Sequence, residues 1–419
     1  MVIVFILDLM FSMLKIFFLF FYLFLNFLNA DTVYLFHSFR GNDKKALEYI
    51  ANIYNLKNPL TQVKLLQNEP DTYLIQLEKN YDKNNGPDIF IWANDKIGYW
   101  VEKKIIIPID EYIDFRFLNN FISSSLTALK YGKNKKLLYG LPFSIECLIL
   151  FYNKNYLNKP PETFQEFLDS AIKFTNPKEN KFGLVYEIDN FYFHALWVHS
   201  FNGRVFDENN KLIIDSEPLV ESLKLTYSFL NVYKIVPEVP LGKSWWDYQL
   251  ELFNDDRALF LISGPWIIGS FKKNNWAVST FPKFGNNFIS PFLGVKGIYV
   301  TNKKRTDNQL KNVIDVIKFF TSEQAGIIMG NIGGYIPANI NSYKDEILNS
   351  DKVKVIIKDE AMNSIPMPNI PEMSIIWEIM NNKSLSELGL LKKAQSGLIK
   401  FNEILSYFKK EYTHKKNKR

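Results

Sequence analysis

The stretch TVYLFHSFRGNDKKALEYIANIY, from Thr32 to Tyr54, decides the fold class. Its first five residues, Thr32–Phe36, are rich in β-branched and aromatic side chains, which predicts a strand. A short loop follows at His37–Gly41, and Asn42 can then cap a helix. Apolar residues recur at helical spacing, at Ala46, Leu47, Ile50, Ile53 and Tyr54. The stretch therefore predicts a strand, a loop and a helix in succession.

The next part of the chain repeats this alternation. Gln62–Leu66 predicts a second strand, Asp71–Tyr81 a helix, and Ile89–Trp92 a strand buried on both faces. Strands that alternate with helices indicate a parallel sheet covered by helices. Because ligands of such sheets bind beyond the carboxyl ends of the strands, the loops His37–Gly41 and Ala93–Gly98 are candidates for a binding site.

The same α/β pattern continues further along the chain. Leu148–Tyr152 predicts a strand, and Thr163 begins a helix through a capping box with Glu166. Further predicted elements are a strand at Ala258–Ile262 and helices at Leu219–Tyr233, Asn308–Phe320 and Ser322–Met329. The sequence has neither an internal repeat nor a low-complexity linker.

The composition is that of a folded protein. Of the 419 residues, 47% are apolar and 22% are charged, which excludes a disordered or fibrous chain. The formal net charge of +6 is small for this length and does not by itself indicate a nucleic-acid partner. The single cysteine, Cys147, excludes an intrachain disulfide. With only four histidines beside it, we expect neither a structural zinc site nor a cofactor.

The N-terminus has the order of a secretory signal. Lys15 precedes ten apolar residues, Ile16–Leu25, and Asn29 and Ala30 follow them. We expect cleavage after Ala30, so that residues 1–30 are a signal peptide and 389 residues remain. The alternative is an uncleaved membrane anchor, although the apolar run is short for a span of about 20 residues.

Six segments carry a family resemblance. In chain order they are GPDIFIWANDKIG (86–98), YGLPFSIECLILFYNKNYL (139–157) followed by KPPETFQEF, FNGRVF (201–206), FNDDRALFLISGPW (253–266), PFLGV (291–295) and MPNIPEMSIIW (367–377). They resemble segments of the maltose/maltodextrin-binding proteins, the extracellular receptors of bacterial ABC importers. The GPD and GPW pieces are shared by many solute-binding proteins, whereas MPNIPEMSIIW is typical of the maltose branch.

The resemblance implies an α/β, two-lobe periplasmic-binding-protein fold of type II, in which each lobe is a mainly parallel sheet flanked by helices. Three hinge crossings are expected near Ser144–Leu148, Phe292–Val295 and Phe320–Ala325. The N-terminal lobe then comprises residues 31–144 and 295–321, and the C-terminal lobe comprises residues 148–292 and 325–408. Residues 409–419 are expected to form a basic, flexible tail. Such lobes close around a ligand by hinge motion.

The resemblance also implies a sugar site, in which aromatic rings cover sugar faces and charged groups hold hydroxyls. The ring residues are Trp92 in the first lobe, Tyr192, Trp266 and Trp377 in the second lobe, and Trp246 at the far end, where the family usually has Tyr. The other site residues are Arg40, Asp95, Lys96 and Glu146, which match hydroxyl-binding positions, Met367, which matches a lining position, and Asn190, which stands where the family usually has an acidic residue.

Each of these residues also has a structural interpretation. The alternatives are core packing for Trp92, a loop plug for Trp266, packing within the second lobe for Tyr192 and Trp377, a turn cap for Asp95 and a contact with local carbonyl groups for Arg40. Glu146 differs, because it lies among apolar residues and a carboxylate there needs a partner. Its position favours a functional role.

The sequence departs from the family pattern at several positions. Phe39 stands where an Asp usually precedes the basic residue, and Lys96 replaces an Arg and so loses a bidentate donor. Asn190 lacks the charge, and Asn381 stands near the place of an Arg. Asp256 replaces a Gly, which is tolerable in a left-handed turn. Because these changes alter polar positions and leave the aromatic ones, the sugar can differ from maltose in length, linkage or identity.

We expect a periplasmic, monomeric receptor that binds maltose or maltodextrin and delivers it to the permease subunits of an ABC importer. A purely interaction or signalling protein that docks a chemoreceptor is an alternative, although that function can coexist with transport. One alternative is a glycosidase that uses Asp95 and Glu146, which would require carboxyl groups about 5–9.5 Å apart. Another is a receptor for a different sugar or for glycerol phosphodiesters, but a phosphate prefers clustered arginines and only Arg40 is near the expected site.

Overall fold

The structure is a computed structural model that describes residues 14–15, 31–69, 72–132, 135–381 and 387–418. The predicted signal peptide, residues 1–30, lies outside these residues apart from 14–15. Within the described part of the chain, every helix is too short or too polar to cross a bilayer.

The described residues form two main sheets covered by helices. The strands are β1 (Asp31–His37), β2 (Thr61–Gln67), β3 (Ile89–Ala93), β4 (Lys130–Tyr131), β5 (Leu137–Leu138), β6 (Gly140–Cys147), β7 (Ile149–Asn153), β8 (Phe182–Val185), β9 (Ala258–Ser263), β10 (Trp276–Ser279), β11 (Lys283–Phe284), β12 (Asn287–Phe288), β13 (Phe292–Val300), β14 (Ile336–Pro337) and β15 (Ile365–Pro366). The helices are α1 (Gly41–Lys57), α2 (Tyr73–Asn80), α3 (Ile97–Glu102), α4 (Phe115–Leu118), α5 (Ser123–Ala128), α6 (Phe164–Phe174), α7 (Phe191–Ser200), α8 (Glu217–Asn231), α9 (Trp245–Asn254), α10 (Asp307–Phe320), α11 (Glu323–Asn331), α12 (Glu346–Ser350), α13 (Lys352–Asn363), α14 (Met373–Met380), α15 (Leu390–Gln395) and α16 (Ile404–Asn417).

The first sheet confirms the strand–helix alternation predicted from Thr32 onward. Its order is β14-β6-β13-β3-β1-β2, and β15 pairs with β13. β1 runs parallel to both β2 and β3. Helix α1 begins at Gly41 rather than after Asn42, because the Asp43 carboxylate accepts a hydrogen bond from the Arg40 backbone N–H at 3.0 Å. Arg40 therefore occupies the N-cap position.

The second sheet, in the order β10-β7-β9-β8, is mixed. Only β8 and β9 pair in parallel, whereas β7 is antiparallel to both β9 and β10. The chain enters this sheet from β6 of the first sheet across the single residue Leu148. Both sheets therefore combine parallel and antiparallel pairs, and β6 and β7, which Leu148 joins, are antiparallel to their neighbours.

Two of the expected crossings lie side by side. The crossing at Ser144–Leu148 is the end of β6, and the crossing at Phe292–Val295 is the start of β13. These strands are antiparallel neighbours, with Glu146 opposite Gly294 and Cys147 opposite Leu293. The residues on which the two lobes would pivot are therefore joined by one strand pair.

The expected third crossing at Phe320–Ala325 needs correction. Helix α11 packs on α1, and β14 adds to the first sheet beside β6, with Ile336 opposite Ile145. The chain therefore stays with the first sheet beyond residue 325, and the turn there is only a corner between α10 and α11. Helix α13 is the first element after it that also contacts β7 and β10. We propose that the chain returns to the second lobe near Asp351.

The expected tail from Lys409 is also different, since residues 409–417 continue helix α16. Phe408 is buried, and the ring of Tyr412 stacks on it with centroids 6.3 Å apart. The helix packs on α14. The contact between Phe408 and Tyr412 thus orders the end of the helix, although its lysines alone would predict a frayed end.

Asp88 of the GPD segment has a structural role. Its carboxylate lies 3.0 Å from Arg305 Nε and 3.3 Å from Lys303 Nζ, and it accepts a hydrogen bond from the Tyr34 backbone N–H at 3.0 Å. All three partners are groups of the first lobe. The aspartate therefore joins the start of β3 to β1 and to the segment after β13.

Glu360 of α13 is a carboxyl group buried between the lobes, with 2% of its surface exposed. Its Oε2 accepts a hydrogen bond from the Phe281 backbone N–H at 2.9 Å. Burial raises the pKa of Glu360 from 4.5 to about 8, and the hydrogen bond from Phe281 opposes that rise. The folded protein therefore keeps a proton on Glu360 at pH values where the unfolded chain has released it.

Because the pKa of Glu360 is raised on folding, the stability that its proton provides is complete below the unfolded pKa of 4.5 and is lost as the pH rises toward about 8. Glu360→Gln cannot ionise. We therefore predict that the unfolding free energy of this variant, minus that of the unaltered protein, increases by roughly 1–4 kcal/mol from pH 5 to pH 8. Urea unfolding at both pH values measures the difference. Glu111→Gln, at an exposed carboxyl, is the control, and an unchanged pH dependence in Glu360→Gln would contradict the prediction.

Candidate functional site

The two loops predicted to flank a site lie at one edge of the first sheet. β1 and β2 end together, with His37 opposite Gln67, and the parallel strand β3 ends at Ala93. Ala93 is opposite Lys296 on β13. The loop that holds Arg40 and the turn that holds Asp95 and Lys96 therefore follow the carboxyl ends of neighbouring strands, as the sequence predicts.

Glu146 is the polar centre of this edge. Its Oε2 accepts a hydrogen bond from Lys296 Nζ at 3.0 Å, and the same ammonium lies 5.4 Å from the ring centroid of Tyr335. A Cβ atom on Gly294, directly opposite on β13, would stand 2.9 Å from Glu146 Cγ. Glycine at 294 therefore leaves the space that the glutamate side chain occupies.

Lys296 is the partner that the position of Glu146 requires, but sequence reasoning did not name it. It is the one charged residue in the apolar run FLGVKGIYV and directly follows the PFLGV segment. A lone lysine within a buried strand needs an anionic partner. That signal was available, although the sequence does not show that the partner lies 150 residues away.

Asp95 and Glu146 are close enough to interact electrostatically. Asp95 is exposed as a residue, but the surrounding protein partly desolvates its carboxyl group. This desolvation is the largest cause that raises the pKa of Asp95. Lys96 lowers the pKa, and the charge of Glu146 raises it. Two acidic groups and two lysines therefore share this edge.

The aromatic residues predicted in the second lobe form a continuous row. The ring of Tyr192 lies 6.2 Å from Trp266 and 6.3 Å from Phe292, and Phe292 lies 6.2 Å from Trp377, all between centroids. Burial raises the pKa of Tyr192 well above its ordinary value, and the charge of Glu146 adds to that shift. The row therefore passes beside the polar centre.

Phe292 completes the aromatic row, and sequence reasoning missed it. It is fully buried at the start of β13 and separates Tyr192 from Trp377. The two flanking rings are only half buried, and Trp266 is 42% exposed. The buried phenylalanine thus supports a row whose outer members still present ring surface. Its place in PFLGV was the available signal.

For Trp92 the sequence left open both core packing and contact with a sugar ring, and its surroundings are compatible with both. Its ring stacks on Tyr73, with centroids 4.8 Å apart and an interplanar angle of 19°. Tyr73 is buried, and its hydroxyl donates to the backbone oxygens of Phe36 and Ile91 at 3.0 and 3.1 Å. One face of Trp92 is therefore held by the core of the first lobe, while the residue remains half buried.

Met367 lies where both lobes meet. The buried Asn94 side chain donates to the Met367 backbone oxygen at 3.1 Å and accepts from the Val295 N–H at 3.0 Å. Met367 also lines a cavity of about 420 Å³, together with Lys130 and Arg204. Asn94, which lies in the same segment as Trp92 and Asp95, therefore ties the edge of the first sheet to the MPNIP segment.

Asn190 serves as the N-cap of α7. Its Oδ1 accepts from the Tyr192 N–H at 3.0 Å, and its Nδ2 donates to Glu187 Oε2 at 3.0 Å. Asn381 accepts from the Phe191 N–H at 2.7 Å. Both positions at which the sequence departs from the family by carrying an amide thus satisfy the first turn of the helix that presents Tyr192.

Arg40 and Trp246 are set apart from this group, and Phe39 packs in the core beside it. The Arg40 guanidinium pairs with the exposed Glu69 carboxylate. Trp246 is exposed on α9, and among the described residues no ring contact joins it to the aromatic row. Phe39 is buried against Phe143 and Tyr335, with centroids 5.9 and 5.2 Å away. The position where the family has an Asp is therefore part of the core here.

Comparison with known proteins shows that the chain is similar to extracellular solute-binding proteins. The sequence profile of the bacterial extracellular solute-binding proteins matches residues 49–357. A maltotriose-binding protein of Pyrococcus abyssi is 28% identical over 388 residues, which cover 88% of this chain and 82% of that protein. A galactooligosaccharide-binding protein of Bacillus subtilis is 24% identical over 75% of this chain and 78% of its own.

Solved structures share the fold. The crystal structure of a cyclo/maltodextrin-binding protein complexed with maltotetraose aligns with a TM-score of 0.81 at 24% identity, over 92% of this chain and 97% of that chain. The two-lobe α/β architecture expected from the sequence is therefore confirmed. Since the family profile also covers most of the chain, the protein belongs to the bacterial extracellular solute-binding protein family.

Proposed function

We propose that this protein is the extracellular receptor of an ABC sugar importer and that it binds a maltose-like oligosaccharide between its lobes without changing it chemically. The observation that carries the proposal is the aromatic row Trp266–Tyr192–Phe292–Trp377 beside the Glu146–Lys296 pair. The relatives named as maltotriose- and galactooligosaccharide-binding proteins support a carbohydrate ligand.

This arrangement suits a sugar for a physical reason. A pyranose ring has apolar C–H faces, which flat aromatic rings can cover, and a rim of hydroxyls that need polar partners. Glu146 and Asp95 can accept hydrogen bonds from hydroxyls, and Lys296 and Lys96 can donate to them. Because an unpaired buried hydroxyl costs about 1–3 kcal/mol, the polar edge discriminates among sugars that the rings alone would bind equally.

The site residues have five different roles under this proposal. Trp92, Tyr192, Trp266 and Trp377 stack on sugar rings, and Met367 lines the cleft between the lobes. Asp95, Lys96, Glu146 and the newly found Lys296 hold hydroxyls. Arg40 and Trp246 lie at the periphery, where they reach only a longer ligand, and Asn190 acts indirectly by capping the helix of Tyr192.

The proposal also fixes where the protein acts and what it meets. We place it outside the cytoplasmic membrane after removal of residues 1–30, as a monomer that closes on its ligand and presents it to the permease. Closure would bring Tyr192 and Trp266 of the second lobe toward Asp95 and Trp92 of the first. A coexisting contact with a chemoreceptor is compatible with this role.

Isothermal titration calorimetry with a ligand panel tests the function. We expect saturable binding of maltose and maltotriose, weaker binding of trehalose, sucrose and a galactosyl trisaccharide, and no heat with glycerol 3-phosphate. Recovery of intact sugar after incubation, checked by chromatography, separates a receptor from a glycosidase. Binding of the galactosyl trisaccharide alone would replace the maltose assignment, and tight binding of glycerol 3-phosphate or hydrolysis of the sugar would overturn the proposal.

Trp266→Ala tests the aromatic row. The ring is 42% exposed and lies over Gly264, where a Cβ atom would overlap it, so its removal should spare the fold. We predict a loss of about 1–3 kcal/mol in the binding free energy of maltotriose. Phe115→Ala removes an aromatic ring that is 73% exposed elsewhere in the first lobe and should leave affinity unchanged.

Trp246→Ala provides a second comparison, because Trp246 lies apart from the row. We expect it to weaken binding of maltotetraose or longer ligands while it leaves maltose binding intact. Wild-type affinity in Trp266→Ala, with circular dichroism that shows a folded protein, would remove Trp266 from the site.

The raised pKa of Asp95 predicts a pH dependence of binding. An ionised carboxylate accepts stronger hydrogen bonds from hydroxyls than a protonated carboxyl group does, and Asp95 takes up its proton at a higher pH than the usual 3.8. As the pH falls from 7, affinity should decline at a pH above the ordinary aspartate range, by about tenfold once Asp95 is protonated. Titrations of maltotriose at successive pH values measure this decline.

Asp95→Asn should bind more weakly at neutral pH and should lack that part of the pH dependence. Asp82→Asn, which alters an exposed aspartate before β3, is the matched control and should keep the original profile. Identical profiles for Asp95→Asn and the unaltered protein would show that Asp95 does not touch the sugar.

A further inference from the structure

The C-terminal segment, residues 390–419, carries more positive charge than the whole chain. It contains nine lysine or arginine residues and two glutamates, a net charge of +7, whereas the full chain has a net charge of +6. The other 389 residues therefore have a net charge of −1. The proposed sugar site uses none of these basic residues, so their concentration in one segment needs a separate explanation.

Helix α16 exposes several of these lysines to solvent. Ile404 and Phe408 are buried where the helix packs on α14, and they fix its orientation. Lys409, Lys410, Lys416 and Lys418 are exposed. Within the described part of this segment, the ion pairs with carboxylates join Lys409 to Asp215 at 3.7 Å and Lys415 to Glu378 at 3.1 Å. Lys409, Lys410 and Lys416 thus face solvent on an ordered helix, and Lys418 directly follows it.

Apolar surface lies beside these lysines. Lys393 and Lys410 flank a groove of about 510 Å³ between α16 and the turn at Leu398–Ile399. Leu398 is 67% exposed, and the Tyr407 hydroxyl accepts a hydrogen bond from Lys393 Nζ at 2.6 Å. A leucine and a tyrosine next to cations are typical of surfaces that enter the headgroup region of a bilayer.

We propose that Lys393, Lys409, Lys410, Lys416 and Lys418, here called the basic face, bind the surface of an anionic lipid bilayer. The described cations of this face are all lysines, which act as hydrated point charges and lack the planar fork with which arginine binds one phosphate in a bidentate manner. They are spread from α15 to the residue that follows α16, instead of converging on one point. Such a face contacts many headgroups weakly, and its attraction adds up across them.

Membrane contact would have a consequence for transport. A receptor held at the bilayer searches two dimensions for its permease and meets it at a raised local concentration. The attraction depends on charge, so salt screens it and the receptor stays free to exchange. This inference goes beyond the proposed sugar binding and does not depend on the identity of the ligand.

Vesicle sedimentation tests the proposal. The processed chain recovered from the periplasm is mixed with vesicles of phosphatidylcholine alone or of phosphatidylcholine with phosphatidylglycerol. We expect binding to the anionic vesicles only, and its loss at high salt. The quadruple variant Lys409→Gln, Lys410→Gln, Lys416→Gln and Lys418→Gln should bind at least about 100-fold more weakly.

A matched control separates the basic face from overall charge. Lys64→Gln, Lys79→Gln, Lys178→Gln and Lys344→Gln together remove the same charge from exposed positions spread over the chain and should leave vesicle binding nearly unchanged. Equal weakening in both variants, binding to neutral vesicles alone, or no binding of the unaltered protein would overturn the proposal. So would stronger binding to a DNA duplex than to the anionic vesicles.

Maltotriose titration of both quadruple variants keeps the two proposals distinguishable. Each variant should bind the sugar as the unaltered protein does, because none of the eight lysines belongs to the proposed sugar site. Loss of vesicle binding with intact sugar binding supports membrane binding by the basic face. Loss of sugar binding in the variant of Lys409, Lys410, Lys416 and Lys418 would show that these substitutions disturbed α14 and its Trp377.

Discussion

The antiparallel pairing of β6 with β13 is the constraint on which the rest of the structure depends. It sets Glu146 opposite Gly294, where a side chain would come within 2.9 Å of Glu146 Cγ. The carboxylate can then reach Lys296 at 3.0 Å. Because the same strands carry the chain between the two sheets, the polar centre lies at the pivot. Any change in the relative position of the lobes therefore alters what surrounds Glu146.

Polar groups at this junction find partners from distant parts of the chain. Asn94 joins β13 to the MPNIP segment, Lys296 joins Glu146, and Glu360 accepts from Phe281. An unpaired buried polar group costs about 1–3 kcal/mol, so these contacts favour one arrangement of the lobes. The aromatic row lies beside that arrangement. A preorganised binding surface requires aromatic rings that are half exposed and that buried, hydrogen-bonded residues hold in place.

Local pattern suffices to predict the early strands and helices, because β-branched runs and helical spacing depend only on neighbouring residues. Local pattern cannot locate the third crossing, which the family resemblance placed too early in the chain, since the apolar faces of α10 and α11 look the same whichever lobe they cover. Lys296 and Phe292 escape prediction because their partners lie 150 and about 100 residues away. Asn190 illustrates a different limit, since its place in a motif indicated a ligand contact, whereas its hydrogen bonds cap α7.

A crystal structure of the processed chain with maltotriose would test most directly whether the junction of the lobes is the sugar site. We predict glucose rings stacked on at least two of Tyr192, Trp266 and Trp377, with a sugar hydroxyl within 3.2 Å of Glu146 or Lys296, at ordinary hydrogen-bond distance. A sugar bound elsewhere on the protein, or one at the junction whose hydroxyls reach neither of these charged groups, would contradict the assignment.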